Sequence, residues 1–165
     1  MSSELSAVAT LNTLADFTRP ELIVTRLRES DPAGIIEELS RQFRAQGVVV
    51  DVLSFYHAAV NQEFLFNSAT PAGFALPHAR SPQVGRVTLA IGRISEPVIW
   101  GLRGSWPVET VFLIAVPPGD TTDYLALRSG LANLGRQVEM LARLRTAADA
   151  HEIFGLLQAI RLLPV

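Results

Sequence analysis

The sequence predicts a single α/β layered domain. Two stretches with helical apolar spacing come first, two strands rich in Val, Ile and Leu follow, and two more helical stretches close the chain. The order helix, helix, strands, helix, helix describes a sheet covered by helices. A chain of 165 residues fits one domain and buries a core without disulfides or metals to staple it.

Each element has a local reason. Residues 1–18 are rich in Ser, Thr and Ala and weakly patterned, and read as a tail or a loosely docked segment. In "RPELIVTRLRES", either Pro20 opens a short helix or Ile23 and Val24 lie in a strand. "DPAGIIEELSRQFRAQG" is a helix: Asp31 caps it, Pro32 suits its first position, Ile35, Ile36, Leu39 and Phe43 share a face, and Gly47 ends it. "DVLSFYHAAVNQEFLF" repeats the plan, with Asp51 as cap and Leu53, Tyr56, Val60 and Phe64 as the predicted inner face.

"NSATPAGFALPHARSPQVGR" is dense in Gly, Pro, Ser and Thr, which predicts a loop with a brief strand over 74–76. "RVTLAIGRI" and "VETVFLIAVP" predict strands, the second apolar almost throughout and therefore central. "SEPVIWGLRGSWP" between them reads as a turn-rich connection carrying both tryptophans, Trp100 and Trp106, as core or rim fillers. "TTDYLALRSGLANLGRQV" predicts a helix with Leu127, Leu131, Leu134 and Val138 on one side. "TAADAHEIFGLLQAI" predicts the last, with Thr146 and Asp149 near its cap and Ile153, Leu156, Leu157 and Ile160 inside.

Composition narrows the function. Net charge is -2 and no basic stripe stands out, which disfavours nucleic acid as a partner. No apolar run is long enough to span a membrane, and the N-terminus lacks the order of a secretory signal. Cysteine is absent, which excludes thiolate metal sites and cysteine nucleophiles and suits a reducing cytoplasm. Walker A, GxGxxG and GxSxG motifs are absent too.

Of three histidines, His78 is the candidate for chemistry, because it follows a short strand in a Gly- and Pro-framed loop. Imidazole there can be a nucleophile, a base or a ligand near neutral pH, or simply a backbone hydrogen-bonder. Arg80, two residues on, could steady an anion beside it or be an ordinary exposed arginine. His57 reads as a surface or rim residue and His151 as solvated. No histidine pair has the spacing of a helical metal site.

"GFALPHAR", "LAIGRISEPVIWG" and "VFLIAVPPG" occur in that order. Together they resemble the enzyme IIA domains of the fructose/mannitol class of the bacterial phosphotransferase system, which includes the nitrogen-related enzyme IIA proteins. The resemblance covers residues 19–165 as an enzyme IIA-like domain. It implies a small mixed β-sheet flanked by helices. It also implies a phosphoryl carrier of the phosphoenolpyruvate-dependent system. The histidine of the "PH" motif, His78 by match, accepts phosphate from a histidine phosphocarrier protein. It then passes the group to an enzyme IIB, or serves a regulatory role. No metal or cofactor is implied.

Two departures bear on that chemistry. The family commonly has an Arg-Glu pair at a helix end, and here the pair is Gln62 and Glu63. Many members carry a second histidine at the start of the helix after the "VP" turn, and that position is Tyr124. Gln62, Tyr124 and Arg80 are therefore expected to line the His78 site. Losing two charged partners would cost on the order of a few kcal/mol of phosphoryl stabilisation. Arg80 or Arg103 would compensate if placed near His78.

Two main functional expectations result, with a third beside them. One is a phosphoryl carrier, with regulation rather than sugar transport suggested by a single domain standing alone. The other is a non-catalytic binding module that keeps the fold and has lost efficient phosphotransfer. A hydrolase or ligand sensor reusing the cleft is a third. Phe66 and Trp106 could support a homodimer or equally be buried.

Overall fold

Alternation along residues 107–116 builds the molecule outward on both sides. The computed structural model describes residues 11–101 and 106–162. Strand β5 (Pro107–Val116) lies at the centre, antiparallel to β4 (Thr88–Ile99). β1 (Ile23–Val24) adds parallel to the free edge of β4. β2 (Phe74–Ala75) and β3 (His78–Arg80) both pair parallel with β5, one after the other along its other edge. The result is a five-stranded mixed sheet.

Phe112, Ile114 and Val116 point to one face, with Leu89 and Ile91 of β4. Helices α3 (Thr122–Leu134), α4 (Val138–Thr146) and α5 (Ala150–Gln158) cover that face through Leu127, Leu131, Leu144 and Leu157. Val111, Leu113 and Ala115 point the other way, beside Ala75, Ala79 and Ala90. Helices α1 (Pro32–Ala45) and α2 (Val52–Leu65) cover them, with Ile35, Leu39, Phe43 and Phe55 buried. The small alanines let this helix pair sit close to the sheet. Each fully buried Leu, Ile or Phe contributes about 1.5–3 kcal/mol.

The mixed sheet between helical layers is the architecture expected. α1 also forms as expected, with Asp31 accepting from Gly34 N and Pro32 in the first turn. Both readings of "RPELIV" are realised, because Pro20–Leu22 makes a 3-10 turn that runs into β1.

Other expectations are corrected. α2 buries Val52, Phe55 and Ala59, while the predicted face residues Leu53 and Phe64 are 54% and 73% exposed. The stretch is apolar on every side, so periodicity does not set its phase. His78 lies in a strand rather than a loop, since β5 supplies its pairing. β4 runs on through Ile99, and the register shift between Arg93 and Val98 accommodates Pro97. Val138 does not continue α3; it is exposed and opens α4, a helix the spacing did not reveal. Asp149 alone caps α5, accepting from Glu152 N, and Thr146 ends α4.

Within the segment read as a tail, Leu14, Ala15 and Phe17 are buried in the core. Gly130 explains how: a Cβ there would stand 2.7 Å from Leu14 Cδ2. Residues 1–10 and Arg103 lie outside the described residues. Trp100 is fully buried, whereas Phe66 and Trp106 are exposed. No helix among the described residues is long and apolar enough to cross a membrane.

Candidate phosphoryl-acceptor site

His78 is held by the sheet from behind. It pairs with Ile114 across β5, and Ile114 N donates to Pro77 O at 2.9 Å. Ala79 next to it is buried against the α1–α2 layer. Alternation therefore turns His78 and Arg80 to the opposite side, where α3 begins.

The loop leading to His78 is fastened by Glu63, near the C-terminus of α2. Glu63 Oε1 accepts from the buried Trp100 Nε1 at 2.6 Å, from Ser68 N at 2.8 Å and from Ser68 Oγ at 2.9 Å. Ser68 Oγ in turn accepts from Leu76 N at 2.8 Å. Two residues before His78, the backbone is thus tied to a carboxylate. The loop turns into β2 at Gly73, whose φ of +91° favours glycine.

On the open side, α3 presents Tyr124. Its backbone N donates to Asp120 Oδ1 at 3.0 Å, which satisfies an amide in the first turn. Its ring lies 5.1 Å from the His78 ring, centroid to centroid, with 39° between the planes. Arg80 Cζ is 5.6 Å from the Tyr124 ring centroid and Arg128 Cζ is 5.8 Å from it. Both cations fall within reach of the aromatic face. Arg80 Nη1 also donates to the carbonyls of Pro117 (3.1 Å), Pro118 (3.4 Å) and Asp120 (2.5 Å), pinning the β5–α3 turn to β3.

Electrostatics favour an uncharged ring. Burial lowers the His78 pKa, and the positive charges of Arg128 and then Arg80 push it the same way. His78 is half-buried and leaves part of its ring to solvent. Nearby, burial and then the charge of Asp120 raise the pKa of Asp123. No cluster of metal-ligating side chains occurs among the described residues.

Of the expected site residues, Tyr124 and Arg80 come together with His78. Gln62 is half-buried on α2, and no side-chain hydrogen bond of Gln62 to the site is found among the described residues. His57 and His151 are exposed. Sequence reasoning did not single out Arg128, although it lies four residues after Tyr124, the spacing that puts two side chains on one helix face. It also paired Glu63 with Gln62 without assigning Glu63 a contact.

The family described as "Phosphoenolpyruvate-dependent sugar phosphotransferase system, EIIA 2" matches residues 16–160. The chain belongs to this family. It is 25% identical over 144 residues to a nitrogen regulatory protein of Bradyrhizobium diazoefficiens, covering 87% of this chain and 94% of the relative. It is 26% identical over 146 residues to the 2-O-alpha-mannosyl-D-glycerate-specific EIIABC component of Escherichia coli, covering 87% of this chain and only 22% of that protein. Among solved structures, the nitrogen regulatory protein IIA-Ntr of Neisseria meningitidis superposes with a TM-score of 0.74 at 22% identity, over 87% of this chain and 98% of that one. The enzyme IIA of the Escherichia coli mannitol system, solved in complex with its phosphorylated enzyme IIB, gives 0.71 at 17% identity, over 84% and 95%. Membership in the family supports a phosphoryl-carrier or regulatory role and bears out the expected fold.

Proposed function

We propose that His78 is the phosphoryl acceptor of this enzyme IIA domain, and that it works in the cytoplasm with a histidine phosphocarrier protein as donor. One observation carries the reading: a half-buried imidazole, kept neutral by burial and two arginines, faces a polar aromatic at a helix start. A neutral ring nitrogen has the lone pair that attack requires.

The transfer balances simply. A nitrogen of His78 attacks phosphorus, and the phosphorus–nitrogen bond to the donor histidine breaks, its electron pair returning to the donor ring. One proton leaves the far nitrogen of His78 and one is taken up by the donor ring. The protein positions the group and neutralises its charge. From phospho-His78 the group passes to an enzyme IIB, or its presence regulates a target protein. The mannitol IIA–IIB complex supports the first route and the nitrogen regulatory relative supports the second.

The test is direct. The protein is mixed with enzyme I, the histidine phosphocarrier protein of its own source and labelled phosphoenolpyruvate. Acid-labile label is expected on the wild type and none on His78→Ala. A wild-type protein that takes no label would instead be a binding module on a retained fold.

A further inference from the structure

The expected partners of the phosphoryl group include an arginine before the loop and a second histidine on α3. Gln62 and Tyr124 stand there, and neither carries a positive charge. The site nevertheless holds two guanidinium groups, and they are differently engaged. Arg80 spends Nη1 on three backbone carbonyls of the β5–α3 turn, so its position is structural. Arg128 makes one long hydrogen bond, Nη1 to Tyr124 Oη at 3.4 Å, and no ion pair among the described residues. It is exposed, on the turn of α3 after Tyr124. Most of its five N–H donors are therefore left for a ligand.

The occupant of that space follows from position. The Tyr124 ring lies 5.1 Å from the His78 ring, Arg128 Cζ lies 5.8 Å from the Tyr124 centroid, and the charge of Arg128 is felt at His78. A dianionic group on His78 would sit within the field of Arg128, in a site half withdrawn from water, where charge-assisted bonds are strong. A planar guanidinium matches phosphoryl oxygens with two parallel donors, which glutamine and tyrosine do not.

We propose that Arg128 is a phosphoryl-binding residue of this protein: it bonds the oxygens of phospho-His78, aimed by the Tyr124 hydroxyl, and supplies the cation missing at Gln62 and Tyr124. The proposal rests on His78 being the acceptor. Asp120 and Asp123 are the acidic groups at this end of α3, and neither bonds Arg128 among the described residues. The chemistry of transfer is unchanged; Arg128 lowers the cost of collecting negative charge at His78.

The experiment compares wild type, Arg128→Gln, Arg128→Lys and Arg136→Gln, the last an exposed arginine beyond α3. Label transfer from the phosphorylated phosphocarrier protein and the lifetime of the adduct are read for each. Arg128→Gln is expected to slow transfer or shorten the adduct lifetime about ten- to a hundredfold, the span of one charge-assisted bond. Its thermal melting should match wild type. Arg128→Lys should recover part of the loss, because charge returns without the fork. Arg136→Gln should behave as wild type. Adding Gln62→Arg to Arg128→Gln provides a second route, and regained labelling would show that charge, not folding, was lost. Wild-type behaviour of Arg128→Gln overturns the proposal and leaves His78 as acceptor. A wild type that takes no label overturns both.

Discussion

The two sides of His78 are built on different principles. Behind it, Glu63 accepts three hydrogen bonds of 2.6–2.9 Å, and Ser68 carries the fastening on to Leu76 N. Every contact is short, and Trp100 is fully buried. In front, Tyr124 and Arg128 meet through one bond of 3.4 Å and one cation–aromatic contact, and the Tyr124 ring lies 5.1 Å from the His78 ring. The rear side fixes where the imidazole stands. The front side sets what charge it meets, through a buried tyrosine and an exposed arginine. Position is therefore costly to alter, whereas the charge facing His78 rests on few and longer contacts.

Breaking the rear side should have the largest effect. Glu63→Ala leaves Trp100 Nε1 without its acceptor in the core and frees Ser68. A hydrogen bond to a charged group is worth about 1.5–3 kcal/mol, and a buried donor left alone costs about as much. The variant should lose about 3 kcal/mol in urea unfolding and melt roughly 6–12 °C lower, as expected for a chain of this size. Glu63→Gln keeps an acceptor oxygen and should lose less than half of that. Equal losses in the two variants would mean that the carboxylate charge, not the acceptor geometry, holds the loop.

The front side should respond in rate rather than stability. Tyr124→His restores the ring type expected there, and an imidazolium donates more strongly than a phenol. Phosphorylation by the phosphocarrier protein should speed up, or the adduct persist longer, by about three- to tenfold. Because Tyr124 is 8% exposed and packs with Leu127 and Leu131, about 1–2 kcal/mol of stability should go with the lost ring volume. An unchanged adduct would place Tyr124 away from the phosphoryl oxygens.

What could be read beforehand follows the same division. The α1 cap and face were legible because Asp31, Pro32 and a one-sided apolar stripe agree. The α2 face was not, since Leu53, Phe64 and Leu65 are apolar yet exposed. β3 is three residues between prolines and exists because β5 offers an edge, a tertiary cause invisible in local pattern. The pairing of Val98 with Val108 likewise extends β4 through a stretch that reads as turns. In the site, the resemblance points to His78, Gln62 and Tyr124, and Arg80 follows from its place two residues after His78. The sequence carries no sign that Arg80 would be drawn to the turn carbonyls and Arg128 left for a ligand. That difference depends on where the β5–α3 turn folds back.

The smallest effect tests the charge of the front side without any phosphoryl donor. His78 sits below its ordinary value of 6.5 through burial, then Arg128, then Arg80. Between its folded value and 6.5 the unfolded chain binds more protons than the folded one. Stability should therefore rise with pH across that window and be lost as pH falls through it. His78→Gln should remove this contribution, visible as a flatter unfolding free energy against pH. An NMR titration of the His78 ring should show a midpoint below 6.5 in the wild type, moved upward in Arg128→Gln and less so in Arg128→Lys. A midpoint unmoved by Arg128→Gln would assign the lowered value to burial and Arg80. It would also mean that the guanidinium is too far from the imidazole to meet a charge placed there.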